Sequence, residues 1–137
     1  MNLRPSLLFA TAAVAALGPA SAEQVTRSPR AQQELTKALA GRIAGQPLNC
    51  INDFRSEIRM TVIDDHTLLF RDNGVVYVQQ PPGGCANISN KTNALTTQRS
   101  STNQLCAGDI NQVLQPSSGI FRGSCAFGPF VPYRKGG

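Results

Sequence analysis

The chain is 137 residues long, 41% hydrophobic and only 15% charged, with a formal net charge of +5. That length bounds it to one domain with at most a modest core, and the mild basic excess permits an anionic partner without demanding one. Lysines and arginines are spread along the sequence (Arg27, Arg30, Lys37, Arg42, Arg55, Arg59, Arg71, Lys91, Arg99, Arg122, Arg134 and Lys135), and only the last two are adjacent, which excludes a polybasic tract.

Arg4 precedes an apolar run from Leu7 to Leu17 that only Thr11 interrupts, followed by Gly18-Pro19 and the small-x-small end Ala20-Ser21-Ala22. This order predicts a signal peptide over 1–22, cleaved after Ala22. A membrane span needs roughly 20 apolar residues, and neither this run nor any later one reaches that length. With no cysteine near the cut, no lipid anchor is expected there. About 115 residues would remain, exported to the periplasm or secreted.

Glu23 to Arg27 is a polar stub. Ser28 and Pro29 then read as a helix N-cap and first helical residue. Ala31, Leu35, Ala38, Leu39 and Ile43 recur at helical spacing, with Arg30, Glu34, Lys37 and Arg42 on the other face, until Gly45 and Pro47 stop the pattern. The expectation is one amphipathic helix of about four turns within segment 23–47, ahead of a β domain over 48–137.

Ile58, Met60 and Val62 alternate with polar residues up to Asp64-Asp65, Thr67 to Arg71 is a short β run, and Asp72-Asn73-Gly74 is a tight-turn signal before Val75 to Val78. Together they predict a three-stranded antiparallel meander. Pro81-Pro82-Gly83-Gly84 ends it. The stretch from Ala86 to Asn103 is polar, with Ala94 to Thr97 its best pairing segment. Gln104 to Cys106 and Ile110 to Leu114 flank a turn, and further strands fall around Ile120 to Phe130. No internal repeat is present. The fold class expected is mainly β: a small antiparallel barrel or half-open sandwich with one N-terminal helix.

Cys50, Cys85, Cys106 and Cys125 are an even set in a chain read as exported, which predicts two disulfides, each worth about 3 kcal/mol. A metal site or reactive thiol is the competing reading, but there is no Cys-x-x-Cys spacing and the single histidine, His66, is distant in sequence. Four cysteines allow three connectivities. Cys85 with Cys106, closing the polar loop, and Cys50 with Cys125, tying first strand to last, is the pairing expected.

Asp64-Asp65-His66 is the cluster that invites catalysis or metal binding, with Asp53, Glu57 or Asp109 as partners from elsewhere. Adjacent residues at a turn diverge, so turn chemistry is favoured over a metal-assisted hydrolase. There is no Gly-x-Ser-x-Gly elbow and no phosphate loop, and no catalytic residue, metal or other cofactor is expected. Phe127, Phe130 and Tyr133, interleaved with Arg122, Arg134 and Lys135, could form a stacking-and-charge surface for nucleic acid or an anionic glycan. The simpler expectation is that the phenylalanines fill the core, which disfavours nucleic acid as a partner. Asn87-Ile88-Ser89 and Asn90-Lys91-Thr92 match the N-glycosylation acceptor pattern, and in a bacterial chain would be loop residues.

Gly45-Gln46-Pro47 before Cys50-Ile51, Val62 to Asp65 leading into Thr67 to Asp72, Pro82 to Cys85, Leu105 to Ile110, and Gly123-Ser124-Cys125 through Phe130 to Pro132-Tyr133 form a specific combination. It resembles an uncharacterised family of small exported proteobacterial proteins, a domain of unknown function. The resemblance covers most of the chain after the helix and least of Asn87 to Asn103. It implies periplasmic placement and a four-cysteine framework, and carries no catalytic residues. The functional expectation is a non-enzymatic binding or envelope-associated module with an envelope or extracellular partner.

Overall fold

A computed structural model describes residues 26–53 and 58–136, so the expected leader and Glu57 lie outside the described residues. Helix α1 (Pro29–Leu39) is followed by β1 (Arg42–Ala44), β2 (Cys50–Asn52), β3 (Arg59–Asp64), β4 (Thr67–Asp72), β5 (Val75–Gln79), β6 (Ala94–Gln98), β7 (Gln104–Cys106), β8 (Ile110–Gln115), β9 (Ile120–Ala126) and β10 (Phe130–Lys135). The chain is mainly β, as expected. Its strands form three antiparallel sheets and do not close into a barrel: β1-β10-β5-β4-β3, β6-β8-β9 and the pair β2-β7.

The helix starts where its sequence says it should. Ser28 holds an extended backbone and its hydroxyl accepts from the Ala31 N–H at 3.2 Å, with Pro29 next in the first turn. It ends earlier than expected, at Leu39, about three turns long. Gly41 takes a φ of +70°, the left-handed value that ends helices. Residues 42–44 then pair with β10, Arg42 opposite Lys135 and Ala44 opposite Tyr133. Ile43 therefore does not extend the apolar stripe: it is 67% exposed. Helical spacing at that one position was coincidental, and the open hydrogen-bonding edge of β10 decides the local structure.

The meander β3-β4-β5 is present as read, with Asn73 and Gly74 both at positive φ (46° and 77°) in the two-residue turn between Asp72 and Val75. Its sheet is buried on both faces. Leu68 and Phe70 of β4, Tyr77 of β5 and Phe130 of β10 face a core completed by Ile51, Leu105 and Val113 from the other sheets and by Phe127 between β9 and β10. Leu69, Val76, Val78 and Val131 face the opposite way, onto Leu35, Ala38 and Leu39 of α1. Strand periodicity makes the two faces alternate residue by residue. At the centre of the larger core Phe70, Phe127 and Phe130 meet edge to face, with centroids 5.5–5.7 Å apart.

All four cysteines are oxidised, but the pairing is Cys50–Cys106 and Cys85–Cys125 rather than the expected one. The expectation treated 86–103 as a loop to be closed. Its pairing segment, expected over Ala94 to Thr97, is β6, and it runs along β8 for its whole length. That places Cys85 beside β9, while the short β2-β7 ladder sets Cys50 directly opposite Cys106. Among the described residues, no helix is long and apolar enough to cross a membrane.

Candidate functional site

The Asp64-Asp65-His66 turn links β3 to β4, and each of its acids has structural work. Asp64 Oδ1 accepts from the His66 N–H at 2.8 Å, closing the turn, while its other oxygen lies 3.7 Å from Arg27. Asp65 reaches across to the segment after Cys85, accepting from the backbone N–H groups of Ser89 (2.8 Å) and Asn87 (3.3 Å), and its carbonyl accepts from the Cys85 N–H at 2.6 Å. Burial alone would raise the Asp65 pKa, but hydrogen bonds from Ser89 and Asn87, with a smaller electrostatic contribution from His66, bring it below the ordinary carboxylate value. The exposed His66 ring lies over Gly84, where a Cβ would come within 2.6 Å of Nδ1. The three residues clasp a hairpin to a disulfide-anchored loop and do not converge on a common point.

Asp109 plays the same part in the next loop. Its carboxylate, in a residue only 3% exposed, accepts from the Cys106 N–H (2.8 Å), the Ser100 N–H (3.0 Å) and the Ser100 hydroxyl (2.7 Å). Burial works to raise its pKa, and these bonds, with Arg99 nearby, lower it overall. Arg99 in turn pairs with Asp53 at 2.6 Å, and the Asp53 N–H donates to the Asn103 carbonyl at 2.8 Å. Asp53 and Asp109 thus fix the 99–103 segment from two sides, apart from the Asp64 turn. Among the described residues no three His, Cys, Asp or Glu side chains are grouped to hold a metal ion.

The C-terminal aromatic and basic residues do not form one surface. Phe127 and Phe130 are buried in the central core and Tyr133 packs against the cluster under α1, so these three rings do not form an exposed stacking platform. Arg122 belongs to β9 of the three-stranded sheet, where it donates to Gln115 at 2.9 Å. Arg134 and Lys135 occupy opposite faces of β10. The acceptor asparagines are likewise engaged: Asn87 donates through Nδ2 to the Arg122 carbonyl, and Asn90 Oδ1 accepts from the Thr92 N–H and hydroxyl.

A basic site arises elsewhere, from residues far apart in sequence. In the five-stranded sheet Arg59 of β3 stands directly opposite Arg71 of β4, and Arg42 of β1 directly opposite Lys135 of β10. Cross-strand partners share a face, and register carries the row Arg59, Arg71, Val76, Tyr133, Ala44 across all five strands. Arg42 lies two residues from Ala44, so all four cations gather at the end of the face that α1 packs on. The three arginines, with Asp72, Gly74 and Val76, line an open cleft of about 530 Å³. None of these cations makes an ion pair among the described residues, where the pairs are Arg27–Asp64, Arg30–Glu34 and Arg99–Asp53.

No family model matches the chain, and neither does any curated protein or solved structure.

Proposed function

We propose that the protein is a non-catalytic binding module working outside the cytoplasm, in the periplasm or as a secreted protein, and that it engages an anionic partner through the basic end of its five-stranded sheet. One observation carries the reading: two like-charged cross-strand pairs, Arg59 with Arg71 and Arg42 with Lys135, share one end of one face with no ion-pair partner among the described residues. Like charges directly opposite destabilise a sheet, and an arrangement that costs stability is understandable where a ligand offsets it. The placement outside the cytoplasm draws on the leader-like 1–22 segment and on two disulfides, which persist in oxidising compartments. The sequence resemblance to small exported proteins agrees with it.

The alternative of a metal-assisted hydrolase at Asp64, Asp65 and His66 has no comparable support, since both carboxylates are spent on turn and loop amides. The anionic-polymer alternative shifts from the aromatic C-terminus to the arginine cleft. The test is retention from envelope extract on the immobilised, oxidised protein across a salt series. A component that free protein competes off, and that salt releases at lower concentration from an Arg59→Gln column, supports the module; no retention at any salt, or release unchanged by the substitution, contradicts it.

A further inference from the structure

We propose that the cleft between Arg42, Arg59 and Arg71 is a phosphate site, taking the dianion of inorganic phosphate or of a phosphate monoester. This rests on the reading of the protein as a binding module and names the ligand class. Arg42, Arg59 and Arg71 line the cleft together with Asp72, the residue next to Arg71 on β4, whose side chain strand alternation turns to the other face of the sheet. This concentration of positive charge suits a phosphate monoester, which carries about −1.5 to −2 near neutral pH, better than a monoanion.

Two of the three arginines are also held in place by neutral acceptors. Arg42 Nη1 donates to the Gly74 carbonyl at 2.6 Å and to the Tyr133 carbonyl at 3.3 Å, and Arg71 Nη1 donates to the Thr61 hydroxyl at 2.7 Å. Each anchor uses one nitrogen and leaves the rest of the planar fork as donors. Such forks suit the paired oxygens of phosphate, and anchoring beforehand reduces the ordering that binding must offset. A dianion between Arg59 and Arg71 would turn their direct opposition from a repulsion into a bridge, with Arg42 closing the third side from the β4–β5 turn.

The experiment is calorimetric titration of the oxidised full chain with inorganic phosphate, and with acetate at equal ionic strength, for the parent and Arg59→Gln. Expected is saturable phosphate binding, weaker acetate binding, and a loss of about tenfold in phosphate affinity in Arg59→Gln. An unchanged unfolding midpoint shows the variant folded, and Arg71→Gln repeats the measurement if it is not. No saturable phosphate binding, or equal affinity in parent and variants, overturns the site. Vesicles of phosphatidic acid in phosphatidylcholine, against phosphatidylcholine alone, assign the source. Binding to the acidic vesicles that Arg59→Gln loses supports a lipid-borne phosphate, and binding of free phosphate alone supports a soluble one. Failure with phosphate while salt-sensitive retention from extract persists removes this site and leaves the binding module standing; failure of both removes both.

Discussion

The two ends of this molecule use charge in opposite ways. Around the disulfides, acids are drawn inward: Asp65 and Asp109 each collect backbone N–H groups from a neighbouring loop, and Asp53 is buried against Arg99. At the far end of the five-stranded sheet, cations stand opposite cations, and Asp72 lines the cleft without forming an ion pair. The difference separates charge that holds the fold from charge that the fold holds out. A carboxylate that accepts several amide protons is part of the architecture. A guanidinium with most of its donors unspent is available to something else.

The comparison can be broken first at the stapled end. Cys50–Cys106 and Cys85–Cys125 close loops of 56 and 40 residues, and removing either by paired Cys→Ser substitution should cost about 4 kcal/mol, read by denaturant unfolding. Asp109→Ala should follow, at about 3 kcal/mol, because it strands the buried Cys106 N–H and removes both bonds to Ser100. Gly84→Ala comes next, at about 1–2 kcal/mol, since its φ of +79° disfavours any side chain and the His66 ring occupies the space.

Acid sharpens the same contrast. Asp65 and Asp109 have folded-state pKa values below their unfolded ones, so their contribution is fully present above the unfolded value of about 3.9 and is lost as pH falls through the lower folded values. The unfolding midpoint should therefore decline from roughly pH 5 downward. Asp109→Asn, already destabilised at neutral pH, should decline less.

Much of this was readable from residue order. Period-two alternation and the Asp72-Asn73-Gly74 turn specify the meander, Ser28-Pro29 specifies the helix start, and the even cysteine count specifies oxidation. What escaped was set by long-range pairing. The helix end depended on β10 offering an edge to residues 42–44, and the disulfide partners depended on β6 pairing with β8. The basic end was legible in part. Arg59 and Arg71 flank the Asp65-His66 turn at nearly equal distances, so a tight hairpin must bring them together. Lys135 opposite Arg42 could not be foreseen, because that pairing joins the two extremes of the domain. The C-terminal phenylalanines fill the core, as the simpler sequence reading expected.

The smallest stability change is the most informative. Arg59→Glu should place a carboxylate opposite Arg71 and convert a repulsive cross-strand pair into an attractive one, stabilising the fold by a few tenths of a kcal/mol while removing a phosphate donor. The decisive measurement is thermal unfolding of the parent and Arg59→Glu, each with and without inorganic phosphate at constant ionic strength. The account predicts that the parent's midpoint rises with phosphate, as binding to the folded state requires, whereas Arg59→Glu starts slightly higher and does not move. An Arg59→Glu protein that melts below the parent, or that gains as much from phosphate as the parent does, would contradict it.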